Sequence, residues 1–138
     1  MIRQLSIFAE NKKGAMFRIT RALAEAGVNM NTLVTNDSEE YGIIRMLVSD
    51  TEHASEYLKA AGYMCHTDWV VATEIGDECG SLNTLLGVLD AANVNLDYLY
   101  VTYSGISRRP VAILRAADTL EIDSFLRSRG YNVLSSVE

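Results

Sequence analysis

Leu5, Ile7 and Ala9 alternate with Ser6 and Phe8, the two-residue period of a strand. "ENKKG" (10–14) breaks that alternation, and from Ala15 the period changes. Met16, Ile19, Leu23 and Ala26 fall on one face of a helix, Arg18, Arg21 and Glu25 turn away from it, and Gly27 is a stop. Residues 28–36 return to an extended, β-rich composition. "NDSEEYG" (36–42) reads as a turn, and 43–49 as a strongly apolar strand. Asp50 or Thr51 can cap a second helix with Ala54, Tyr57, Leu58 and Ala61 along one side. Gly62 ends it, and "YMCHTDWV" (63–70) reads as a further strand.

The same order then recurs. Residues 70–75 predict a strand and "GDECG" (76–80) a loop. Leu82, Leu85, Leu86, Leu89 and Ala92 make a helical stripe. Residues 94–103 and 111–116 predict strands, joined by "SGISRRP" with the single proline, Pro110, at its end. Asp118 and Glu121 resemble a capping box for a helix whose Ile122, Phe125 and Leu126 face inward until Gly130; residues 131–137 close the unit as a last strand.

The recurrence holds residue by residue. Gly14 and Gly80, Leu23 and Leu89, Ala26 and Ala92, Val28 and Val94, and Asn29 and Asn95 each lie 66 apart. Asp50-Thr51 and Asp118-Thr119, and Gly62-Tyr63 and Gly130-Tyr131, lie 68 apart, which places a two-residue insertion around Tyr103–Arg109. Two long copies are two small domains rather than a solenoid array. The expected boundaries are 1–69 and 70–138. Each copy reads β-α-β-β-α-β, the ferredoxin-like α+β arrangement of a four-strand antiparallel sheet with two helices on one face. No Pro/Gly/Ser linker separates the copies, and a joint as short as "HTDWVVATEI" (66–75) favours side-by-side pairing of the two sheets, which hides strand edges.

Composition narrows the function. With 138 residues and 49% hydrophobic content the chain can build a core, yet each half alone is marginal, so burial between halves or against a second chain is expected. A net charge of −6 opposes a nucleic-acid partner. Tyr98 and Tyr100 with Arg108 and Arg109 nearby are the best case for RNA binding, but the aromatic pattern of an RNA-recognition module is missing. Cys65 and Cys79, His53 and His66 have neither disulfide nor metal spacing, so no metal site, no cofactor and a cytoplasmic setting are expected. No apolar run reaches membrane-spanning length and no secretory h-region opens the chain, so no membrane partner is expected. Cys79 stands just before a helix beside Asp77 and Glu78 and reads as a small loop filler. No residue set supports acid–base or covalent chemistry, so a non-enzyme is expected.

The informative place is the joint between first strand and first helix of each copy. A glycine there permits a tight turn and close approach of a ligand. The helix start adds unpaired N–H donors and a partial positive charge, a combination that binds small anions including carboxylates. The paired Asn29 and Asn95 offer a donor and an acceptor each.

In these features the chain resembles the ACT domain, a small-molecule-sensing module. The resemblance rests on the element order, on the glycine before the first helix, and on "AEAGVNMNTL" and "DAANVNLDYL", which look like the family's passage into its second strand. It implies a free amino acid bound as allosteric effector between neighbouring ACT domains, a homodimer, and a partner enzyme of amino-acid metabolism; stand-alone tandem members include relatives of acetolactate synthase regulators. It further implies ligand contacts from Asn11, Lys12, Lys13, Gly14, Ala15 and Met16 with Asn29 behind them, and from Asp77, Glu78, Cys79, Gly80, Ser81 and Leu82 with Asn95. Lys13 and Cys79 stand where the family often has a loop-stiffening proline. One loop is basic and the other acidic, so the two copies are not expected to bind identically. The alternatives are a ligand-free interaction or dimerisation module and, less favoured, an RNA binder or a Cys79 enzyme.

Overall fold

In the computed structural model, residues 1–37 and 41–137 are described. They form six strands and four helices: β1 (Ile2–Glu10), α1 (Ala15–Glu25), β2 (Met30–Asp37), β3 (Tyr41–Val48), α2 (Thr51–Ala60), β4 (Met64–Glu74), α3 (Ser81–Ala91), β5 (Tyr98–Tyr103), β6 (Pro110–Arg115) and α4 (Thr119–Ser128). Among these residues no helix is long and apolar enough to cross a membrane. The chain divides into two compact units, Arg3–Asp68 and Trp69–Glu138, the latter joined by Met1–Ile2.

In the first unit β3 pairs antiparallel with both β1 and β2, matching Leu5 with Met46 and Leu33 with Met46. The strand period turns Leu5 and Ile7 toward one face. There they meet Ile19 and Leu23 of α1 and Ala54 and Leu58 of α2 in one core. The start of β4 reaches β1 through its side chains: Arg3 donates to Thr67 Oγ1, and the Phe8 and His66 rings lie 5.7 Å apart. In the second unit β6 pairs with β5 and with the end of β4. Leu85, Leu89, Ile122 and Leu126 of the two helices close over Val71, Ala112 and Leu114. Each unit is thus an α+β layer pair with both helices on one sheet face, as the two-period pattern predicts.

Three strand assignments differ from the expectation. The strands read at 63–70 and 70–75 are one uninterrupted strand, β4, because no turn-forming residue interrupts them. The strand read at 94–103 begins only at Tyr98. Val94 is still engaged in ending α3, donating to Leu89 O at 3.0 Å, and Asp97 makes the first bond to Arg115 O. The closing strand read at 131–137 is reduced to one bridge, Thr73 to Val133. Its neighbours bond to β4 (Leu134 N to Ala72 O, 2.7 Å), but at Val137 the chain has turned to the β5–β6 hairpin, where Gly105 donates to it. The centre of the turn read at 36–42, Ser38–Glu40, lies outside the described residues.

Both caps foreseen for α2 and α4 form. Asp50 Oδ1 accepts from His53 N and Asp118 Oδ1 from Glu121 N, each at 3.0 Å. Replacing either aspartate by alanine is expected to cost about 1 kcal/mol, and asparagine much less, read from urea denaturation midpoints.

Asp123 on α4 is buried and accepts from Arg127 Nε at 2.7 Å and from the Met1 ammonium at 3.0 Å. The Arg127 bond foremost, then the ammonium, hold its carboxyl below the usual carboxylate range against the opposing effect of burial. A pKa lowered on folding contributes stability that is present above the unfolded value and is lost as pH falls through the folded one. Asp123→Asn should therefore be less stable than wild type at neutral pH, and the gap in denaturation midpoint should close progressively below about pH 4. A gap that stays constant down to pH 2 would rule this out.

Candidate functional site

The loop Asn11–Gly14 leaves β1 and enters α1 through a compact turn. Lys12 N donates to Glu10 O at 2.9 Å, and Ala15 N to Lys12 O at 3.2 Å. Gly14 is the N-cap, with φ 84° and ψ −3°, a left-handed conformation that side chains disfavour. No side chain caps α1, and its first turn carries no acidic residue, so its N-terminal dipole faces the loop unneutralised. The Arg18 side chain, one turn on, folds back over Gly14: a Cβ there would stand 2.8 Å from Arg18 Nη1.

Beside this loop lies a cleft of about 660 Å³, within the first unit. One wall comes from the end of β1 (Phe8, Ala9, Glu10), Lys12 and Lys13, and Ala15 and Arg18 of α1. The opposite wall is the turn from α2 into β4, Gly62–Met64. Lys12 Nζ pairs with Glu10 Oε2 at 3.0 Å. Among the described residues the Lys13 and Arg18 side chains have no hydrogen-bonded or ionic partner. The cleft therefore presents three cations, one carboxylate, a positive helix end and an apolar side made by Phe8, Tyr63 and Met64. A smaller pocket of about 170 Å³ lies on the other side of the loop, reached by Asn11, Lys12, Ala15 and Met16 and backed by Thr35 and Ile44.

The loop thus brings Asn11, Lys12, Lys13, Gly14, Ala15 and Met16 together around α1's first turn. Asn29 is not with them. It follows the far end of α1, about 16 Å along an eleven-residue helix. There its N–H donates to Ser49 Oγ and its Nδ2 to Asn31 Oδ1. Within its own unit Asn29 joins α1's exit to the end of β3.

The second loop repeats the backbone but not the opening. Gly80 caps α3 with φ 89° and again no side-chain cap. Here the chain's own carboxylate folds in. Glu78 Oε2 accepts from Ser81 Oγ at 3.2 Å and lies where it would collide with a Cβ on Gly76. Asp77, Cys79 and Asn95 are exposed, and Leu82 packs against the second core.

Phe8, Arg18, Gly62, Tyr63 and Met64 were not singled out by sequence. Arg18 reads as an outward helix position, although its four-residue spacing from Gly14 is the signal that could have found it. Gly62 and Tyr63 recur as Gly130 and Tyr131 but read only as a helix stop. His53 and His66 serve local structure: His53 Nε2 lies 3.1 Å from Ala26 O at the end of α1, and His66 Nε2 lies 2.9 Å from Asp68 Oδ2. No group of three metal-ligating side chains is assembled among the described residues.

Residues 1–124 match the family described as the ACT domain pair. The chain belongs to that family. Within the ACT domain pair fold, a crystallised protein from Bacteroides thetaiotaomicron is similar at 28% identity with a TM-score of 0.89, covering 96% of this chain and 91% of that one. The regulatory subunit of aspartate kinase from Thermus thermophilus, in its ligand-free form, has a TM-score of 0.64 at 13% identity, with 91% of each chain covered. The corresponding subunit from Thermus flavus has a TM-score of 0.63 at 12% identity, covering 91% of this chain and 90% of that one. At those identities the two subunits establish shared fold only. No curated protein matches this ACT domain pair.

Proposed function

We propose that this ACT domain pair is a non-catalytic, cytoplasmic sensor that binds a free amino acid as an allosteric effector, with its two domains dividing at 69/70. The observation that carries the reading is the cleft at the β1–α1 loop. Gly14 opens the start of α1, no side chain caps it, and unpartnered cations stand around a space large enough for a small ligand. Asn11, Lys12, Lys13, Gly14, Ala15 and Met16 are the proposed contact set, extended by Arg18 and Tyr63, with Asn29 reaching an effector held between neighbouring domains. Asp77–Leu82 with Asn95 remain the proposed second contact set, weakened there by the Glu78 carboxylate. The effector acts by binding one arrangement of domains or subunits better than another, in a homodimer that communicates with a partner enzyme of amino-acid metabolism. Regulatory subunits of aspartate kinase, which share the fold, offer the parallel.

The test is thermal shift and calorimetry across the twenty amino acids. An effector at a hundred times its Kd should stabilise the fold by about 2.7 kcal/mol. A panel in which no amino acid raises the melting temperature would transfer the reading to a ligand-free interaction module.

A further inference from the structure

We propose that the ligand of the first-unit cleft is an amino acid with a second carboxylate, of the aspartate or glutamate class. This rests on the sensor reading above and specifies its ligand. Lys12, Lys13 and Arg18 line the cleft against a single carboxylate, Glu10, so the space carries an excess of two positive charges. Arg18 is half-buried, has no partner among the described residues, and lies over the positive end of α1, where like charges repel and an anion is favoured. A neutral amino acid brings one carboxylate and one ammonium and leaves that excess untouched. An acidic one brings two carboxylates and one ammonium. One carboxylate meets Lys13, the other meets the Arg18 fork, and the ammonium meets Glu10. Phe8 and Tyr63 supply an apolar wall for the methylene stem. Inorganic phosphate would satisfy the cations but place a further negative charge against Glu10.

The experiment is calorimetric titration of the full chain with all twenty amino acids, glutarate and inorganic phosphate. Glutamate or aspartate should bind at least tenfold more tightly than its amide, and more tightly than glutarate or phosphate, which lack the ammonium. In Arg18→Gln the preference for acid over amide should fall to within about twofold. Lys13→Gln, at an exposed position, should narrow the same preference and carries the test should Arg18→Gln fail to fold. If an amide or an aliphatic amino acid binds as tightly as the acids, the proposal is overturned while the sensor reading stands. Glutarate or phosphate binding as tightly as the acids also overturns it. If no amino acid binds, both readings fall together.

Discussion

Leu23→Ala should lower the free energy of unfolding by about 2–5 kcal/mol, the range for deleting a buried leucine side chain where the surroundings cannot fully collapse. Leu23 is fully buried in the first-unit core with Ile19, Leu5, Ile7, Ala54 and Leu58. Its carbonyl also accepts from Val28 N at 3.0 Å, closing the end of α1. That backbone bond survives the substitution, so the loss is one of packing. Set against an ordinary domain stability of about 5–15 kcal/mol, it removes a large share. Phe17, on the same helix, is the control. Its ring is larger but 65% exposed, and the Arg21 guanidinium lies over it, 5.4 Å from the centroid. Phe17→Ala should cost no more than about 0.5–1 kcal/mol. Equal losses for the two variants in urea denaturation would contradict the placement of this core.

Gly14→Ala should weaken effector binding at least tenfold, and Gly80→Ala should leave it within about twofold. Both glycines hold left-handed backbone, φ 84° and 89°, so each substitution costs about 1–2 kcal/mol of stability. Only at Gly14 does the new methyl group meet anything: Arg18 Nη1 would be 2.8 Å away, whereas Gly80 has open space within 4 Å. A guanidinium at the end of a flexible chain moves aside readily, so the collision adds little to the folding penalty. It does displace the cation that faces the cleft. The pair of variants therefore separates backbone strain, common to both, from loss of the site. Paired calorimetry and denaturation read the two quantities, and matching binding losses would remove Gly14 from the site.

How much of this was legible follows from which features are periodic. The core of each unit is written in the period itself: Ile19 and Leu23 at helical spacing, Leu5 and Ile7 at strand spacing, all fully buried. The capping aspartates were legible because a side-chain cap has a fixed local register. Helix stops were legible where glycine stands, at Gly27, but not at Asn93, which fills the equivalent left-handed position with φ 58°. Asparagine tolerates that conformation without announcing it. Strand ends were poorly legible, since β4 runs on where no residue forbids pairing and 131–137 leaves the ladder for a contact with Gly105. The candidate loop is marked in the sequence by its repeated glycine. Its far wall is not. Tyr63 and Met64 reach the loop only because α2 returns the chain beside β1, and Arg18 points outward by period yet bends back by the reach of its own side chain.

The Glu78 carboxylate at the start of α3 has a consequence for stoichiometry. On the sensor reading, the first loop stands beside unpartnered cations, whereas an exposed carboxylate lies beside the start of the second copy's helix and opposes an anionic guest. Saturation should therefore come at one equivalent per chain. Removing that acid by Glu78→Ala is the substitution expected to bring a second equivalent into view.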